Sequence, residues 1–270
     1  CDKNGQVNPV VLYVADLIGV QNIYKIGGVQ AIAAMAYGTE TIPQVYKIFG
    51  PGNQYVTCAK QLVNKEGTAI DMPAGPSEVA VYAAETSNPA FVASDLLSQA
   101  EHGVDSQVLL VASTAFIVNN VQSEIDLQLQ QLSRKEIAAK AMQNSCFVVM
   151  ENVDTAFDLL NEYAAEHLII ATDNAPALAD KVINAGSVFL GHYSPESVGD
   201  YASGTNHTLP TNGFAKAYSG VSLDSFVKKI TYQQLSKEGL NNIGPAVELM
   251  AAAEGLDAHK NAVTIRMNNA

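Results

Sequence analysis

Short apolar runs alternate with amphipathic stretches of helical length along this chain, and few folds accommodate that order. The alternation predicts an α/β protein whose sheet strands are mostly parallel. Residues 8–18 read as a helix, NIYKIGG (22–28) as a short strand running into glycines, and GVQAIAAMAYG as a second helix. VYKIFGPGN (45–53) is a strand ending in a Gly-Pro-Gly turn, followed by a helix through VTCAKQLVN. In AIDMPAGPSEVAVYA a Pro/Gly-rich bend at 73–76 separates two apolar strands and marks a domain boundary. Beyond it the expected order is helix (Pro89–His102), strand (QVLLVAS), one long helix (114–142) and strand (CFVVM). A helix (153–164), a strand (HLIIA), a helix (174–185) and a strand (SVFLG) follow. Residues 192–220 lack periodicity and read as a long polar loop, the kind that carries function when it occurs in a compact domain. From about Asp224 the tail reads as two helices, with GLDAHKNAVTIRM after the second.

Composition narrows the function classes. At 270 residues with 48% hydrophobic content, the chain can bury a core large enough for two domains. It carries 15 Lys+Arg against 27 Asp+Glu and no basic run, which argues against nucleic acid or an anionic membrane as partner. The three cysteines, Cys1, Cys58 and Cys146, are far apart and form no CxxC, so no disulfide framework is expected and a reducing, cytoplasmic compartment fits. Cys58 and Cys146 lie in apolar contexts and are expected to be packed. No apolar stretch approaches the roughly 20 residues of a membrane span. The sequence opens on Cys1 rather than Met, and reads as a piece of a longer chain.

Several polar clusters could carry chemistry. In SQAEHG (98–103), Gln99 and His102 fall three apart and share a face if the helix reaches His102, with Gly103 placed to stop it. That spacing suits a pair of metal ligands, although glutamine is an unusual one. The ordinary alternative is a histidine meeting the helix dipole. Asp200, in SVGDYASGTNH, sits in the irregular loop, where a solvated turn aspartate is the plain reading. In AEHLII, Glu166 and His167 precede a buried-looking strand at its amino end, whereas ligand crevices of parallel sheets lie beyond the carboxyl ends. Adjacent side chains of extended backbone point opposite ways, so the two are expected to act separately on one substrate. IGGVQA and IFGPGNQY each follow a strand and could offer backbone N–H groups to a phosphate at a helix start. Neither is GxGxxG, so the dinucleotide signal is weak and a plain tight strand-to-helix turn is the default reading. HExxH is absent, which removes the common zinc-protease helix.

These segments, taken in order, resemble one family. IGGVQAIAAMAYGTETIP, IFGPGN, AIDMPAGPSEV, DLLSQAEHG, EHLII, GSVFLG, SPESVGDYASGTNHTLPT, LSKEGL and AAAEGLDAHKNAVTIR together are similar to the histidinol dehydrogenase family, across nearly the whole chain. The resemblance implies two incomplete Rossmann-like parallel-sheet domains, 1–76 (nucleotide-binding-like) and 77–221 (zinc and catalytic residues). A helical C-terminal tail, 222–270, would reach the partner subunit of a homodimer. It further implies zinc- and NAD-dependent oxidation of L-histidinol to L-histidine through the aldehyde. By position, Gln99, His102, Asp200 and His259 would be the zinc ligands and Glu166 and His167 the catalytic acid/base pair. Ser77 and Glu254 would join these ligands and His167 in holding substrate, and Gln30 and Asn53 would contact NAD. His207 matches a family histidine to which no role is assigned. Family chains carry further residues ahead of the point matching Cys1, among them a tyrosine against NAD. Two other readings stay open on the residues themselves: a zinc hydrolase using Glu166, and a non-catalytic fragment or interaction module.

Overall fold

The computed structural model describes residues 5–73 and 75–268. Cys1 and Ala74, the latter within the expected 73–76 bend, lie outside the described residues. The chain forms two compact units, 1–225 and 226–270.

The first unit is built on a five-stranded, wholly parallel sheet of order β5-β4-β3-β6-β7. Its strands are β3 (Glu78–Ala83), β4 (Gln107–Ala112), β5 (Cys146–Val149), β6 (His167–Ala171) and β7 (Ser187–Leu190). Every residue of β3 and β6 is buried, as expected for central strands covered on both faces. Side chains alternate across the sheet. Val79, Val81, Ala83 and Ile169 meet α4 (Pro89–Ala100), α5 (Ala115–Leu129) and α6 (Lys135–Gln143) on one face. Ala80, Tyr82, Leu168 and Ile170 meet α7 (Val153–Tyr163) and α8 (Ala175–Leu178) on the other. Tyr82 and Phe157 anchor this second face with ring centroids 5.2 Å apart, and each large side chain buried there contributes about 1.5–3 kcal/mol. The α/β class and parallel strands expected from the sequence are therefore present.

Residues 5–73 carry their own small sheet, β1 (Lys47–Ile48) parallel to β2 (Ala69–Ile70). It is flanked by α2 (Gly28–Tyr37) and α3 (Gln54–Lys65), with a separate apolar cluster of Ile32, Ala36, Ile48 and Val63, whereas α1 (Pro9–Leu17) buries none of its residues. In the second unit, α10 (Lys237–Ala253) and α11 (Asp257–Asn268) turn about Gly255, whose φ of 69° is left-handed. They approach so closely that a Cβ on Gly244 would lie 2.3 Å from the Met267 sulfur.

Several local expectations are corrected. Residues 22–27 form no strand: among the described residues nothing pairs with them, and Ile23, Tyr24 and Ile26 are exposed. The helix expected over 114–142 is two helices. Unbroken, it would extend over about 40 Å, twice the length of a six-residue strand. The turn at 130–134 instead lets α5 bury Ile117, Val121 and Ile125 while α6 buries Ala138 and Ala141 against the same core. The helix expected over 174–185 stops after one turn of α8 and a 3-10 turn, because Asn161 Oδ1 takes the N–H groups of Ile183 (2.7 Å) and Asn184 (3.1 Å). The loop 192–220 holds a short helix, α9 (Glu196–Tyr201), so Asp200 is helical rather than irregular. Helix α4 ends at Ala100, short of His102, and Gly103 is not its left-handed stop. The segment GLDAHKNAVTIRM does not follow the second tail helix; it forms all but the last residue of α11. Cys58 and Cys146 are exposed, on the outer face of α3 and on edge strand β5 respectively.

One close approach joins β6 to β7. A Cβ on Gly186 would stand 2.5 Å from the Glu166 carbonyl oxygen, which accepts the Ser187 N–H at 2.9 Å. Gly186→Ala should therefore push β7 off β6 and lower stability by about 1–3 kcal/mol, read by urea unfolding; unchanged stability would contradict this packing.

Candidate active site

The chemistry-bearing residues gather at the amino edge of the five-stranded sheet. Central strand β3 begins at Glu78 and its neighbour β6 at His167, with Glu166 just before it. Helix α4 runs back from the carboxyl edge and delivers Gln99 in its last turn. Helix α9 presents Glu196 and Asp200, four residues apart, on one face. A Cβ on Gly199 would come 2.5 Å from the Phe189 ring, so its absence lets α9 lie directly on β7.

The main chain of Glu78 organises this cluster. Its N–H donates to Glu166 Oε2 at 3.0 Å. Its carbonyl lies 3.3 Å from His167 Nδ1, and a carbonyl can only accept, so Nδ1 carries the ring proton and Nε2 keeps a bare lone pair. That Nε2 is buried without a hydrogen-bond partner, 3.6 Å from Asp200 Oδ1. His167 Nδ1 also has Glu196 Oε2 at 3.7 Å and Glu166 Oε2 at 3.8 Å, so the two adjacent residues meet more closely than opposed strand side chains were expected to. Glu196 Oε1 accepts from the Ser98 hydroxyl at 3.1 Å. The Gln99 amide satisfies both of its ends in only one orientation, with the nitrogen donating to Glu196 Oε1 (2.7 Å) and Oε2 (3.1 Å) and the oxygen accepting from the Glu78 N–H (3.1 Å). On its other side, Glu78 Oε1 accepts the Asn212 N–H at 3.0 Å.

Burial sets the protonation of this cluster. It pushes Glu78 and Asp95 up to about 7. Burial also pushes Glu166 and Glu196 up to about 8, with the charge of Asp200 adding to both. Burial lowers His167 below its ordinary value, against the pull of Asp200. The imidazole is thus neutral near pH 7, and acids within a few ångström of it hold protons that a bound cation would displace.

Of the expected site residues, the structure brings together Gln99, Glu166, His167 and Asp200. His207, exposed, places Nδ1 3.2 Å from Asp200 Oδ1. His102 is exposed in the turn after α4, its backbone N–H on the Gln99 carbonyl (3.2 Å). Ser77 is half-buried directly before β3. Glu254 and His259 are exposed in the second unit, at the end of α10 and in the first turn of α11. Among the described residues no group of three or more His, Cys, Asp or Glu is arranged to hold a metal ion. The donors that meet here suit a divalent cation, the Gln99 amide oxygen and the Asp200 carboxylate, and the orphaned His167 Nε2 lone pair beside them is left for a proton. A groove in the second unit, lined by Leu235, Leu240, Val263 and Arg266 among others, contains no acid or imidazole to move a proton. Glu78, Asp95, Ser98 and Glu196 were missed from the sequence. The i,i+4 spacings Glu196/Asp200 and Asp95/Gln99 were the signals available.

Gln30 and Asn53 sit apart from this cluster, both exposed, near the N-termini of α2 and α3. Gly28 has a left-handed φ of 67°. Asn53 caps α3, its Oδ1 accepting the N–H groups of Tyr55 and Val56 at 3.1 Å. The Gly-Pro-Gly turn before it is clamped from inside. Buried Lys60 pairs with buried Asp71 and donates to the Gly50 carbonyl (2.9 Å), while Asp71 accepts the Gly50 N–H (2.8 Å).

The family profile of histidinol dehydrogenase matches residues 1–267. The chain is 63% identical over 267 residues to the histidinol dehydrogenase of Bacteroides thetaiotaomicron, covering 99% of this chain and 62% of that protein. It is 54% identical over 268 residues to that of Colwellia psychrerythraea, with 98% and 62% covered. It superposes with a TM-score of 0.95 on the crystal structure of histidinol dehydrogenase from Elizabethkingia anophelis, 58% identical, over 98% of this chain and 61% of that one. The chain thus spans about 62% of the length of the curated relatives it matches.

Two outcomes are expected of the site. Acids whose folded-state pKa is raised contribute stability that is complete below their unfolded values and lost as pH rises through about 7–8. The melting temperature of chelator-treated protein should therefore fall between pH 5 and pH 8.5; a flat or rising profile would contradict the buried acids. Lys60→Met should strand the Asp71 charge and cost about 3–5 kcal/mol in denaturant unfolding, and a change under about 1 kcal/mol, the range of an exposed pair, would mean the clamp is solvated.

Proposed function

Because the chain belongs to the histidinol dehydrogenase family, we propose that it takes part in the NAD-dependent oxidation of L-histidinol to L-histidine through L-histidinaldehyde, the closing steps of histidine biosynthesis. The observation that carries the proposal is His167, a neutral buried base whose bare Nε2 faces Asp200 beside the Glu166 carboxyl. Zinc, held by Gln99, His102, Asp200 and His259, would supply a Lewis-acidic template for the imidazole and amine of the substrate, with a net charge near +1 at the site. NAD, against Gln30 and Asn53, would accept the two hydrides.

The remaining work falls to the side chains. Ser77 and Glu254 hold the substrate together with the zinc ligands and His167. His167 Nε2 takes the alcohol proton as hydride leaves carbon, since its Nδ1–H is fixed on the Glu78 carbonyl. Glu166 Oε2 is held by the Glu78 N–H, which leaves its other oxygen to take a proton from the water that adds to the aldehyde. A carboxyl raised to about 8 is matched to that task near neutral pH. No thioester is formed, in keeping with Cys58 and Cys146 lying outside the cluster. Residues 1–76 serve NAD, 77–221 the chemistry, and 222–270 bring Glu254 and His259 to the partner subunit of a homodimer. The separate two-stranded sheet and apolar cluster of residues 5–73 support the first boundary. Two unpaired cysteines, Cys58 and Cys146, fit a cytoplasmic enzyme.

Stopped-flow measurement of NADH formation tests the assignment on the zinc-loaded, full-length protein. Glu166→Gln should slow oxidation of L-histidinaldehyde by about 10²–10⁴-fold while sparing the first hydride from L-histidinol, and His167→Asn should slow that first hydride by a similar factor. Absence of NADH with L-histidinol would refute the reading.

A further inference from the structure

We infer that Glu196 is a positioning residue that fixes which end of the Gln99 amide faces the metal site. This role rests on the reading of Gln99 as a zinc ligand and extends it to a residue outside the assigned ligand and catalytic sets. Gln99 is 1% exposed, so water cannot satisfy its amide, and both ends depend on protein partners. The two ends are not equivalent: the nitrogen offers only donors, while the oxygen carries two lone pairs and alone can bind a cation.

The surroundings of Gln99 distinguish the ends. Both carboxyl oxygens of Glu196 lie within 2.7–3.1 Å of one end, and the Glu78 N–H lies 3.1 Å from the other. Reversing the amide would set its N–H₂ against the Glu78 N–H, donor against donor, and would turn its oxygen toward two Glu196 oxygens of which at most one carries a proton. Glu196 is itself fixed: it is 1% exposed, accepts from Ser98, and rides on α9, which Gly199 seats on Phe189. With the Gln99 nitrogen held on Glu196, the oxygen accepts one N–H from Glu78 and keeps a second lone pair for a metal. A glutamine ligand needs such an arrangement in a way that a carboxylate, whose two ends are alike, does not.

That difference supplies the test. Zinc affinity of metal-free, full-length protein would be measured by competition with a chromophoric chelator, with circular dichroism and melting temperature of the metal-free variants confirming the fold. Gln99→Leu should weaken zinc; wild-type affinity in that variant would refute the ligand reading and the inference with it. Glu196→Gln, which lets the two facing amides pair in either sense, should weaken zinc by about tenfold or more. In the Gln99→Glu background the same Glu196→Gln change should produce no weakening, because a carboxylate ligand has no wrong end. Weakening of equal size in both backgrounds, or none in the first while Gln99→Leu does weaken zinc, would overturn the role of Glu196 and leave the ligand assignment of Gln99 standing.

Discussion

The active-site cluster depends on the main chain of one residue. Glu78 is the first residue of the central strand, and its N–H and C=O are turned to side chains of the cluster. The N–H holds Glu166 and Gln99, and the carbonyl holds the protonated nitrogen of His167. A backbone group on a strand buried on both faces moves less than any side chain could, so three functional groups inherit the rigidity of the sheet. It also explains a site at the amino edge of a parallel sheet, opposite to the usual crevice. Strand starts leave peptide groups unpaired at that edge, and α4 and α9 bring amide and carboxyl groups down to meet them.

The cluster is costly to maintain without a cation. Glu78, Asp95, Glu166 and Glu196 are all buried, and each is pushed well above the ordinary carboxylate range. Desolvation is the leading cause in every case, so protons neutralise the acids in the metal-free chain. A divalent ion among them would reverse that balance for its nearest neighbours. The same low-polarity setting keeps His167 neutral, and a general base at neutral pH requires that.

Much of the fold was legible because long-range packing agreed with local pattern. EVAVYA and HLIIA are apolar throughout, apart from their first residues, and both are fully buried strands. The misses occurred where tertiary demands overrode periodicity. The 114–142 pattern continues smoothly, yet a straight helix outruns the sheet it covers. Residues 22–27 look like a strand, but a strand requires a neighbour, and none is present among the described residues. Within the site, spacing and context singled out Gln99, Glu166, His167 and Asp200 as candidates, and the resemblance supplied their roles. Glu196 was missed although SPESVGD places it one turn before Asp200, because that segment reads as a polar loop and no periodicity announced a helix of six residues.

The choice of glutamine at residue 99 reflects this arrangement. Five acids already crowd the amino edge: Glu78, Asp95, Glu166, Glu196 and Asp200. A sixth carboxylate at residue 99 would face both oxygens of Glu196 at hydrogen-bond distance and would need a proton to remain there. An amide avoids that repulsion and converts it into a donor contact. In exchange it has a wrong end, and the protein must determine the orientation that a carboxylate would not need. The Glu78 N–H on one side and the Glu196 carboxyl on the other do so, and a neutral ligand leaves the cation with charge enough to attract the lone pairs of a substrate.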